Sequence, residues 1–124
     1  MKQKNLLDYL EKYEEFGKIL DDANIKGDYK TNNKTYDKMH KIFELAKESK
    51  DRESFYLHIL HNSTSASALI YCCADMMKLD IYPKQARTKL EEIAKNEEYD
   101  PILTFNAEMF LEEWDKGNIK KQEF

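Results

Sequence analysis

Three histidines, two cysteines and a scatter of carboxylates are the side chains with which this chain could do chemistry. His58 and His61 stand three apart, a spacing that puts both on one side of a helix and close enough to share a metal ion. A stable site needs further ligands, and the nearest acids, Asp51 and Glu53, form no ligand pattern, so structural or solvated histidines are expected. His40 lies at helical spacings from Tyr36, Asp37 and Glu44, an acid–base grouping in outline. Such neighbours arise freely on an amphipathic helix, and a hydrogen-bonded structural role is the expectation. Cys72 and Cys73 are adjacent, in an apolar stretch with no charge before Asp75. Neighbouring cysteines bridge each other only under local strain, and burial raises a thiol's pKa. Two inert thiols in a reducing compartment follow. Glu14-Glu15, Glu91-Glu92 and Glu112-Glu113 are adjacent pairs that point in different directions on a helix and read as solvated faces. No glycine-rich phosphate loop, Ser/His/Asp arrangement or two-histidine metal helix occurs. The reading is a protein that is not an enzyme, with no catalytic residue, cofactor or metal.

Charge points to a partner instead. The formal net charge is −4, and it is concentrated towards the end of the chain. Between positions 91 and 115 the acids are Glu91, Glu92, Glu97, Glu98, Asp100, Glu108, Glu112, Glu113 and Asp115, against Lys95 alone. A surface of that sign repels phosphate backbones and attracts basic proteins, so these nine are the candidate partner-binding residues and direct nucleic-acid binding is not expected. Lys26, Lys30, Lys34 and Lys38 recur every four residues and read as a solvated face.

The elements that must position these groups are helices. The chain has 124 residues, 41% apolar and 35% charged, with only three Gly and two Pro, which suits one globular domain of long helices. No apolar run approaches the ~20 residues of a bilayer span, and the N-terminal stretch, broken by Asp8, Glu11 and Lys12, has no secretory pattern. A cytoplasmic protein without membrane contact is expected.

A first helix from about Asn5 to Asn24 carries Leu6, Leu10, Tyr13 and Leu20, with Leu7, Phe16 and Ala23 beside them, at spacings of three and four, with Gly27 as its stop. Asp28 can cap a second helix with Tyr36, Met39, Phe43 and Ala46 inside, widened by Ile42 and Leu45, fading at Lys50. Asp51 can cap a third, with Phe55, Tyr56, Leu57, Ile59 and Leu60. The fourth, about Ser65 to Lys78, is apolar nearly all round and therefore central. Pro83 and Asp100-Pro101 mark the starts of a fifth and a sixth, Gly117 ends the last, and a frayed tail follows. Trp114 is expected in the core, and Glu108 as a half-buried carboxylate bonded to a neighbouring helix end.

A shift of 33 residues lays the third and fourth helices on the fifth and sixth. Leu57 falls on Leu90, Leu60 on Ile93, and Ala74-Asp75-Met76-Met77 on Ala107-Glu108-Met109-Phe110. Helix pairs repeating at such a period are the signature of an α-solenoid. The expected fold class is all-α, a short HEAT/armadillo-like solenoid of about six antiparallel helices. It forms a single domain over 1–124, with a capping helix at 1–27, two helix-pair repeats at 51–117 and a tail at 118–124.

From Asp28 onward the chain resembles the short bacterial helical-repeat domains of unknown function with a HEAT-like fold. The resemblance rests on Asn33-Lys34-Thr35-Tyr36-Asp37-Lys38-Met39-His40, and on Phe105-Asn106-Ala107-Glu108-Met109 followed by Leu111, Trp114 and Gly117. Ser63-Thr64-Ser65-Ala66-Ser67 departs from the Pro-bearing turn and Arg of a typical HEAT repeat. Proteins of this kind often look like immunity proteins encoded beside polymorphic or contact-dependent toxins. The resemblance thus implies a protein that binds and neutralises a cognate toxin domain, a basic one if the acidic run makes the contact. The alternative is a non-inhibitory helical-repeat adaptor or scaffold.

Overall fold

A computed structural model describes residues 5–122, all of whose regular elements are helical. A single 3-10 turn, Leu6–Tyr9, leads into α1 (Leu10–Lys26), followed by α2 (Tyr29–Lys47), α3 (Arg52–Asn62), α4 (Ala66–Leu79), α5 (Pro83–Lys95) and α6 (Pro101–Asp115). The first four residues of the expected capping segment and the last two of the expected tail lie outside the described residues.

Most boundaries fall where their capping chemistry puts them. Gly27 takes φ +69°, the left-handed conformation in which a Cβ is penalised, and closes α1. The Asp28 carboxylate accepts from the Thr31 amide to open α2, and the Ser65 hydroxyl accepts from Ala68 to open α4. Pro83 and Pro101 each sit in a first turn, where no helix hydrogen bond needs their missing N–H. Asp51 stands at the start of α3 yet makes no side-chain cap, contrary to the sequence expectation.

Helix α4 is the centre of the molecule. Every residue from Ala66 to Leu79 is buried except Tyr71 and Lys78, which are half-buried, and the helix packs against α1, α3, α5 and α6. Helix α1 reaches α4 at Gly17, where an added Cβ would collide with the Ala68 side chain and the Ser65 hydroxyl. Two carboxylates flank that close approach on α1. Glu14 accepts from the Ser63 hydroxyl and the Thr64 amide, while Asp21 accepts from the Ser65 hydroxyl and the Ser67 amide, both at 2.8 Å. The Ser-Thr-Ser-Ala-Ser segment is thus the seam by which α4 is tied to α1. Those side chains satisfy amides that the helix leaves open at its N-terminus.

Helix α2 packs chiefly on α1, which covers only one of its sides. Tyr36 and Leu45, read from the sequence as inward, are therefore exposed, whereas Met39, Ile42, Phe43 and Ala46 are buried. The expected fraying of the tail is also corrected. The Gln122 amide donates to the Lys78 carbonyl at 2.7 Å, and Lys121 pairs with Asp80 at 3.3 Å, which lays the tail against the end of α4. Helix α1 touches α6 as well, so the first and last helices meet across the central one.

Candidate functional site

The inner faces of α5 and α6 carry Ala86, Leu90 and Ile93, and Leu103 and Ala107, all buried. That phase turns the acidic residues of both helices outward. Of the nine, Glu113 is half-buried and the rest are exposed.

Their electrostatics differ. Arg87 grips Asp115 with two guanidinium nitrogens at 2.8 Å and has Glu91 at 3.8 Å on its other side. The Arg87 hydrogen bonds hold the Asp115 carboxyl below its usual range. Lys89 lies 3.8 Å from Glu92, Lys116 lies 2.9 Å from Glu112, and the Asn118 amide donates to Glu113 at 2.7 Å. Asp100 accepts from the Ile102 amide at 3.0 Å and so caps α6. Six of the nine therefore have partners within the chain. Glu97, Glu98 and Glu108 are exposed, and their carboxylates make no ion pair or hydrogen bond among the described residues.

The nine are not brought into one patch. Glu97, Glu98 and Asp100 lie at the α5–α6 connection, while Arg87 and Asp115 meet at the other end of the two helices. A rise of 1.5 Å per residue separates the two ends of α6 by roughly 20 Å. Sequence reasoning also missed the apolar part of this edge. Ile102 and Phe105 are 38% and 51% exposed, one turn apart on α6, and Glu108 follows one turn further. The signal was present in the helical phase: two residues beyond buried Leu103, Phe105 falls about 200° round the helix.

The other chemistry-bearing residues go elsewhere. His58 and His61 are exposed and line different clefts, the first beside Glu11 and Glu14, the second beside Lys84 and Glu92. His40 stacks on Tyr36 with ring centroids 6.1 Å apart and has Glu44 at 3.3 Å. The Cys72 thiol is fully buried, donates to the Tyr56 carbonyl at 3.3 Å, and has its pKa pushed well up by burial. Trp114 is half-buried against Phe110 and the core.

Asp75 and Glu108, matched in the repeat, part company. Glu108 is exposed rather than half-buried, and bonds to no helix end among the described residues. Asp75 is only 7% exposed, accepts from the Tyr56 hydroxyl at 3.0 Å, and burial raises its pKa to about 7. Comparison of the chain with protein-family models, with curated proteins and with solved structures finds no match.

Proposed function

We propose that this protein binds a basic surface of another protein through the α5–α6 edge, with Phe105 and Ile102 as apolar anchors and Glu97, Glu98 and Glu108 as the charges that attract it. The observation that carries this reading is the half-exposed Phe105 ring on the same helix as a carboxylate without a counter-ion. Large aromatic side chains contribute most of the binding free energy where they enter a partner's pocket, and uncompensated charge around them speeds encounter. The six internally bonded acids contribute less, since each would have to exchange an existing contact for a new one.

The partner that suits such an edge is a toxin domain with a basic cleft, which makes the protein an immunity protein of the cytoplasm. Buried free thiols fit that reducing compartment. We infer also that α3–α4 and α5–α6 stack as two repeats of a short HEAT- or armadillo-like solenoid. The matched runs at Ala74 and Ala107 and the contact between α4 and α6 support this.

The test is co-purification from the native host at two salt concentrations, with bound proteins identified by mass. A basic toxin domain retained at low salt and lost by both Phe105→Ala and the triple Glu97→Lys, Glu98→Lys, Glu108→Lys variant is the expected result. Equal retention by wild type and both variants overturns the site. A non-toxic partner with the same sensitivities keeps the edge and makes the protein an adaptor.

A further inference from the structure

The Lys stripe of α2 reads from the sequence as a solvated face, yet Lys38 at its end stands at a groove. This groove, of about 260 Å³, lies between the first part of α1 and the second half of α2. It is lined by Phe16, Ile42 and Leu45 together with Lys12, Lys38 and Lys41. It follows from the one-sided packing of α2 on α1: Ile42 is buried, whereas Leu45 is left 38% exposed. The three lysines are exposed and differ in their partners. Lys12 pairs with Glu15 at 3.3 Å. Lys38 Nζ lies 5.6 Å from the centre of the Phe16 ring. Glu44, three residues on from Lys41, is engaged by His40 and Lys47 instead. Lys38 and Lys41 thus have no carboxylate partner among the described residues.

An apolar groove with two uncompensated cations is the counterpart of the α5–α6 edge, where Ile102 and Phe105 are exposed beside the uncompensated Glu97, Glu98 and Glu108. The sizes agree as well. A closed cavity of about 150 Å³ takes a benzene ring. A groove of about 260 Å³ therefore has room for the Phe105 ring with the Ile102 side chain beside it. One molecule cannot close this contact on itself. Asn106, next to Phe105 on α6, donates to Asn24 near the C-terminal end of α1, whereas the groove lies against Lys12 and Phe16. At 1.5 Å per residue, the stretch of α1 from Phe16 to Asn24 alone spans roughly 12 Å. The net charge of −4 is small for 124 residues, so little long-range repulsion keeps two copies apart.

We propose that the groove is filled by a second copy of this chain, whose Phe105 and Ile102 enter it while its Glu97, Glu98 and Glu108 meet Lys38 and Lys41. The inference rests on the α5–α6 edge being a docking surface, and names one partner for it. Edge and groove share no residue, so each molecule offers its edge to one neighbour and its groove to another. Such a contact is heterologous: copies add head to tail and do not close into a two-fold pair. The apolar anchors hold the contact and the charges make it sensitive to salt. The Lys38–Phe16 contact is an exposed cation–π pair, weak enough to yield to an arriving carboxylate. Self-association occupies the edge, so a foreign basic partner has to displace a copy to bind there.

Sedimentation velocity of the full chain from about 10 μM to about 1 mM, at ~20 mM and ~500 mM salt, reads the contact directly. At low salt the wild type is expected to grow past twice its 14.8 kDa mass as concentration rises, and at high salt to return to monomer. Phe105→Ala, and separately Lys38→Glu with Lys41→Glu, should each weaken association about tenfold or more. Mixing the two variants is the decisive step. The first keeps its groove and the second its edge, so together they should form a 1:1 complex that grows no further. Thermal melts check that both fold, and the Glu97→Lys, Glu98→Lys, Glu108→Lys variant replaces Phe105→Ala if that one melts low. Wild type that stays monomeric throughout overturns the proposal, whatever else the groove then binds. So does growth that stops at two copies, growth indifferent to the substitutions, or a mixture of folded variants that stays monomeric. None of these outcomes touches the foreign partner of the edge, since the lysine variant should still co-purify it as wild type does.

Discussion

Buried polar groups behave according to what they can find to bond, and Asp75 and Tyr13 show the two outcomes. Asp75 has the Tyr56 hydroxyl as donor and Lys78 as a nearby charge, yet burial outweighs both and holds its pKa near 7, against an ordinary 3.8. The folded protein therefore keeps a proton between those values that the unfolded chain releases. Stability should fall as pH rises from about 4 to 7 and level off above. Asp75→Asn keeps an acceptor for Tyr56 and removes the charge. At pH 8 it should be more stable than wild type by ~2–4 kcal/mol, with the gap closing by pH 4, as measured by urea denaturation across that range. Glu14 has the opposite sign. Burial pushes its pKa up, but hydrogen bonds from Ser63 and Thr64 outweigh that and leave it lowered, so its contribution is lost as pH falls through the carboxylate range. Tyr13 is fully buried among Phe55 and Tyr56, and its hydroxyl has no partner among the described residues. Tyr13→Phe should thus leave the thermal midpoint unchanged or raise it, since it removes an unpaid desolvation cost. A fall of several degrees would show that the hydroxyl is bonded after all.

At the scale of elements, helix contact depends on small residues as much as on apolar ones. Gly17 has no capping or turn role, being in mid-helix, where glycine costs about 1 kcal/mol relative to alanine. Its place is explained by the α1–α4 approach. Gly17→Ala should therefore destabilise despite the better helix propensity, by roughly 1–3 kcal/mol in urea unfolding, because the backbones must separate. Retention of wild-type stability would mean that the seam is loose. The helices themselves were legible in the sequence because their end signals act locally: Asp28, Ser65 and Asp100 on amides two or three residues on, Gly27 through its own left-handed backbone, and Pro83 through its missing N–H. Tyr36 and Leu45 were misjudged because periodicity shows that a helix has an apolar face, not how much of it a neighbour covers.

For the whole molecule, sequence pattern identified the central helix, since only a segment surrounded on several sides is apolar all round. The acidic surface was legible as composition and misleading as geometry. Nothing in the run from Glu91 to Asp115 tells that Arg87, outside it, neutralises Glu91 and Asp115. The hydrogen bonds from the Asn106 amide to Asn24 and from the Asn24 amide to Asn32 were invisible for a related reason. Asn24 and Asn32 are eight positions apart and Asn24 and Asn106 eighty-two, and only packing makes them neighbours.

That last separation has a consequence for how the chain comes into being. While the protein is being made, α1 emerges from the ribosome before α6. At ~5–20 residues per second, the Asn24 side chain waits on the order of several seconds before Asn106 has even been synthesised. Until then the end of α1 has no lid, and α4 cannot be surrounded. The α1–α6 contact is therefore made only once α6 has been synthesised, by a helix that has waited while four others were made.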